Sequence, residues 1–139
     1  MITHVVRIDR PSRPRHLPGE VVWVSLGNYL EERNATCKLW PVVILNTGAG
    51  QHRVAGLTTQ AQYATTGMPR IAVPNPPCCG LCGKPSYLWA RRPSWLCRLD
   101  VRTHAGWADE ALIDTIAANM DVPWHVIERM RETVAAHAD

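Results

Sequence analysis

Thr58 and Thr59 close the apolar run Val54-Ala55-Gly56-Leu57, so two hydroxyls stand at a strand end where a substrate could lie. Lys38, Arg53 and the adjacent Arg91 and Arg92 are the cations available at neighbouring strand ends. Such cations attract an anionic polymer, and Trp40, Trp89 and Trp95 lie near basic residues. An indole face stacks an unpaired base for roughly 1–3 kcal/mol. Each feature has a plainer use. A strand-end threonine can satisfy its own backbone, and a tryptophan can simply pack, the use expected of Trp23 and Trp107.

The cysteines raise a second chemistry. Cys78-Cys79-Gly80-Leu81-Cys82-Gly83-Lys84 contains Cys-x-x-Cys-Gly-Lys, the shape of a zinc knuckle. Cys79 and Cys82 would need two more ligands, and no second Cys-x-x-Cys exists. Cys97 is the first candidate, with Cys37, Cys78, His52 and His104 behind it. The incomplete set makes zinc the lesser alternative and a tight turn of reduced thiols the main reading; no cofactor is expected. Five cysteines, an odd number, also argue against a disulfide framework.

The elements that would position these residues are short. Gly19-Glu20-Val21-Val22-Trp23-Val24-Ser25-Leu26, Trp40-Pro41-Val42-Val43-Ile44-Leu45-Asn46 and Val54–Thr59 read as three strands separated by polar or glycine turns. Val42–Leu45 is apolar on both faces of the pleat, as in a central strand buried on both sides. Together the patterns predict strands at 20–26, 41–46, 53–58, 69–73, 86–90 and 95–101. A break at His104-Ala105-Gly106 changes the period. Ala108, Leu112, Ile116 and Met120 then recur every fourth residue, predicting helices near 107–120 and 122–137. Asp121 reads as the cap of the second helix, with Pro123 in its first turn. Strands followed by terminal helices argue for α+β.

At 139 residues, 46% hydrophobic and 19% charged, the chain has the composition of an ordinary globular protein. It reads as a proline-rich extension, 1–18, followed by one domain, 19–139. No apolar run is long enough to span a bilayer and no signal peptide is evident, so the expected setting is cytoplasmic, without a membrane. The net charge of +3 is uneven. Arg7, Arg10, Arg13 and Arg15 oppose only Asp9 at the start, and Lys84, Arg91, Arg92, Arg98 and Arg102 oppose only Asp100 later. The acids gather after Trp107. A basic body with an acidic tail can present a positive field to an anionic polymer; the plainer alternative is that its arginines are surface charge.

Over Gly19–Ala118 the order Gly-Glu-Val-Val-Trp, Trp-Pro-Val-Val-Ile and Gly-Leu-Thr-Thr resembles the MazF/PemK toxin family, small ribonucleases of toxin–antitoxin systems. The resemblance implies an SH3-like β-barrel with C-terminal helices, a homodimer, single-stranded RNA in a basic groove, growth inhibition, and an antitoxin as a further partner. The family cleaves RNA without metal, using an arginine before the proline of the second strand and a threonine ending the third. Thr58 matches the threonine, and Trp40 stands where the arginine is kept. Indole cannot donate a charge-assisted bond to phosphate or move a proton at neutral pH. Lys38, two residues earlier, Arg53, or Arg91 and Arg92 would have to supply the charge, and Trp40 and Thr59 would line the groove. The resemblance therefore implies an RNA-directed growth inhibitor with weak or absent cleavage. The alternative is an inactive barrel that binds a protein or RNA partner.

Overall fold

The fold comes from a computed structural model describing residues 13–25, 39–58, 70–73, 86–89, 94–97 and 100–137. It is α+β. Seven strands, β1 (Glu20–Ser25), β2 (Leu39–Gly48), β3 (Gln51–Thr58), β4 (Arg70–Val73), β5 (Ser86–Trp89), β6 (Ser94–Cys97) and β7 (Val101–Trp107), precede α1 (Glu110–Asn119) and α2 (Trp124–His137). Every pairing is antiparallel, in the order β4-β5-β3-β2-β1-β7. β6 shares the outer edge of β3 with β5, β6 against Gln51–Val54 and β5 against Leu57 and Thr58. Among the described residues β4 and β7 end the path, and no pairing closes it.

The two-faced apolar character of the first three strands builds two cores. Val21, Val43, Leu45, Ala55 and Leu57 face the helices, where Leu112, Ile113, Ile116, Val126, Ile127 and Met130 meet them. Val22, Val24, Val42, Ile44 and Val54 pack on the other side with Leu96. Each fully buried Leu or Ile side chain contributes roughly 1.5–3 kcal/mol, so both faces of β1–β3 are committed to burial. A slip of one residue in register would exchange the two cores without exposing polar surface. Ordinary alternation carries Leu45 into the same helix-side core as Val43, and a register shift between Ile44 and Asn46 then interrupts the β2–β3 ladder.

Expectations for the later elements are corrected. The run 95–101 is not one strand. β6 stops at Cys97, and β7 runs Val101–Trp107 through His104-Ala105-Gly106, expected as a break. The reason is a pair of register shifts against β1, between Val21 and Val22 and between Trp23 and Val24, which disturb the period without ending the strand. Ala105 enters the helix-side core, while Val101 joins the opposite one.

The first helix accordingly begins at Glu110, not near 107. Asp109 is its cap, in extended backbone (φ −86°, ψ 176°), accepting 2.8 Å from the Leu112 amide. For α2 the capping position is Pro123, whose carbonyl accepts from the Val126 and Ile127 amides, rather than Asp121, which is exposed. Arg131 clasps Asp114 and Glu128 at 2.7 Å each, joining the two helices. Asp114 and then Glu128 hold its pKa above the usual value.

Gly19 is where the layers meet. Its N–H donates 2.7 Å to the Ile44 carbonyl and its carbonyl accepts 2.8 Å from the Ala108 amide. Its φ is +87°, and an added Cβ would lie 2.4 Å from Val134 Cγ2 and 3.3 Å from the Met130 carbonyl oxygen. Glycine is required twice here, for conformation and for the approach of α2. Gly50, at φ +73° in the β2–β3 turn, has nothing within 4 Å of such a Cβ. We expect Gly50→Ala to cost about 1 kcal/mol from backbone strain alone. Gly19→Ala should cost at least about 2 kcal/mol, since overpacking adds to the strain. Denaturant unfolding of the two variants checks the difference, and equal losses would show that the α2 contact is not close.

Candidate functional site

Strand β1 begins with a carboxylate where its neighbours are Gly and Val. Glu20 is fully buried (0% exposed) on a sheet that is otherwise apolar at this point. An ionised carboxylate in such surroundings costs several kcal/mol unless its oxygens are engaged, and the local chain engages them. The Arg15 amide donates to Oε2 at 2.8 Å and Oε1 at 3.1 Å, and the Leu17 amide donates to Oε1 at 3.0 Å. His104 Nδ1, from β7, lies 2.8 Å from Oε2. Backbone amides at alternate positions cradling an anion form a small nest. His16, between them, has φ +63°, a conformation that histidine tolerates better than most residues.

The same turn carries His16 to His52 of β3. Nδ1 of His16 and Nε2 of His52 are 2.5 Å apart, with ring centroids 4.7 Å apart. His52 is 2% exposed, paired across β3 with Thr47 on one side and Leu96 on the other. On the β7 side, His104 meets the edge of Trp107 at 5.7 Å, and His137 of α2 stacks on that indole at 5.5 Å. The Arg15 guanidinium lies 5.9 Å from the Trp107 ring centre. Four of the six histidines, one arginine and one buried glutamate thus gather around residues 15–20. Nδ1–H of His104 donates to the carboxylate, so in the neutral ring Nε2 is the acceptor, on a side chain 19% exposed.

The residues singled out from sequence lie elsewhere. Trp40 is opposite Val24 in the β1–β2 ladder and Thr58 is opposite Tyr87 in the β3–β5 ladder; their side chains lie outside the described residues. Val42 and Gly56 are partners across β2 and β3, so Trp40 and Thr58, each two residues further on, share one end of that ladder. Arg53 is half-buried, opposite Asn46 and Trp95, five residues from Thr58. That is about 17 Å along an extended chain, so these two backbones do not converge. Lys38, Thr59, Arg91 and Arg92 lie outside the described residues, as do Cys79 and Cys82. Cys97 is a free, exposed thiol opposite Gln51. Among the described residues no group of three or more His, Cys, Asp or Glu could hold a metal ion.

Trp107, expected in the core, is half-buried inside the histidine cluster instead. The cluster itself went unread because its signals are single residues. Glu20 is an acid set among valines in a strand, and the histidines come from four separate elements. His52 and His104 stood out only as distant zinc donors. A charged residue directly after a glycine, in a strand buried on both faces, was the available clue.

A scan against protein-family models finds no match for the chain, and a search of curated proteins finds none.

The site makes a direct prediction. Removing the imidazole leaves a buried carboxylate one donor short, which typically costs about 1–3 kcal/mol, more for a charged group. His104→Ala should therefore lower unfolding free energy by at least about 2 kcal/mol, and His104→Gln, which keeps a donor, by less than half of that. Equal losses in equilibrium urea titrations would show that the bond to Glu20 is not what His104 provides.

Proposed function

We propose that the chain is a MazF/PemK-like growth inhibitor, built as an SH3-like barrel, that acts on single-stranded RNA as a cytoplasmic homodimer partnered by an antitoxin. The observation that carries this reading is the consecutive antiparallel pairing of β1, β2 and β3, the strands on which the resemblance rests. That pairing sets Thr58, which matches the family's threonine, and Trp40, which stands where the family keeps its arginine, at one end of the β2–β3 ladder. The absence, among the described residues, of any helix long and apolar enough to cross a membrane is compatible with it.

The chemistry implied is attack of the 2′-hydroxyl, its proton passing to a base, on the adjacent phosphate, with the bond to the 5′-oxygen breaking and that oxygen leaving protonated. Positioned cations must hold the charge that develops on the phosphorane, and losing one such donor costs about a hundredfold or more. Trp40 supplies no charge, and a lysine two residues away is a point charge rather than a bidentate fork. Binding without efficient cleavage is the consequence. Indole stacking on an unpaired base and cation contacts with phosphates would give an affinity that falls with added salt.

Labelled single-stranded RNA incubated with the protein in chelator tests both parts. The wild type should bind with a clear salt dependence and cleave at background. Trp40→Arg should raise cleavage by on the order of a hundredfold, and adding Thr58→Ala should remove the gain. Robust cleavage by the wild type, abolished by Thr58→Ala, would make it a plain ribonuclease instead. Failure to bind RNA at low salt would reject the reading, leaving a barrel directed at a protein.

A further inference from the structure

We propose that the His16–His52 contact is a proton-operated latch, holding the segment before β1 against the sheet near neutral pH and releasing it in mild acid. The inference is independent of any action on RNA. It rests on the inventory of donors and acceptors. Two imidazole nitrogens in contact need one N–H and one lone pair between them, so the contact carries at most one proton. When both rings are protonated, both nitrogens are donors. The bond is then lost and two positive charges face one another.

Histidine is the side chain that ordinarily changes charge in this interval. His52 is 2% exposed, so it cannot turn to water while the segment remains in place.

Three features make that segment bistable. It is irregular backbone, without partners in the strand ladders. The φ of +63° at His16 is sustained only while its neighbours are held. Its other anchors among the described residues include the Arg15 and Leu17 amides on Glu20, the Glu20 amide on the Leu17 carbonyl, the two backbone bonds of Gly19, and the Arg15 guanidinium beside Trp107.

Among the described residues, the charged and titratable groups on the elements around the pair and its anchors are Arg15 on the segment, Glu20 on β1, Arg53 next to His52 on β3, His104 on β7 and His137 on α2, stacked on Trp107. Glu20 is the one acid among these, and its oxygens accept two amides and His104. A charged His104 would tighten its bond to Glu20, so release rests on the His16–His52 contact alone.

Amide hydrogen exchange at Arg15 and Leu17 reads the latch, with Val43 and Ile44 in the sheet as internal references and rates corrected for intrinsic pH dependence. Between about pH 7.5 and about pH 5, the interval in which histidine titrates, wild-type protection at Arg15 and Leu17 should fall about tenfold or more relative to the references. In His16→Gln, which keeps a donor and an acceptor but does not titrate, protection should stay level within about twofold. His52→Gln provides the same reading should His16→Gln fail to fold. Level protection in the wild type would overturn the latch, as would an equal fall in the glutamine variant. RNA binding measured on the same samples is a separate readout, whose loss would reject the RNA reading without touching this one.

Discussion

A single buried carboxylate organises one end of this molecule. Glu20 is fully buried, and burying a carboxylate is costly unless donors surround it; the donors come from far apart in the chain: two amides just before it and an imidazole 84 residues later. Satisfying that charge therefore fixes the path of the segment entering β1 and docks β7 along β1. Gly19, immediately before, adds the third element by admitting α2 to a distance that no side chain would allow. Two consecutive residues thus join the entry segment, the sheet and the terminal helix. A buried ion pair seldom adds net stability over apolar packing. Its value here is specificity, because β1–β3 are apolar on both faces and hydrophobicity alone does not distinguish their two sides.

Most of the fold was legible from pattern, and the reason differs by element. Val42–Leu45 read as a central strand because four consecutive apolar residues need burial on both faces, and all four are fully buried. The helices read correctly from their period, with Leu112, Ile116, Ile127 and Met130 at the expected inward positions. The failure was β7. Two register shifts in seven residues, with a glycine and a histidine inside the strand, erase the alternation that identifies a strand. Pairing with β1 holds β7 in place, and pairing is a long-range fact that no local window contains.

The site was less legible for a related reason. Chemistry that resides in a motif, such as Thr58 at a strand end or the Cys-x-x-Cys segment, can be read from consecutive residues. The cluster around Glu20 has no motif. Residues 15, 16, 20, 52, 104, 107 and 137 come together only when the sheet pairs β3, β2, β1 and β7 in that order and α2 folds across. It also lies apart from the ladder end that holds Trp40 and Thr58. Among the described residues the sheet therefore carries a histidine–carboxylate knot that secures the entry segment, apart from the ladder end where the backbones of Trp40 and Thr58 lie.

The central claim is that the Glu20–His104 contact is an energetic coupling and not only a geometric neighbour. A double-mutant cycle with Glu20→Gln, His104→Gln and the double variant, read by equilibrium unfolding near neutral pH, measures it directly. The coupling should be favourable by about 1–3 kcal/mol, the range for directly bonded pairs. Additive losses, with a coupling within about 0.5 kcal/mol of zero, would contradict the claim and leave the carboxylate held by the segment's amides alone.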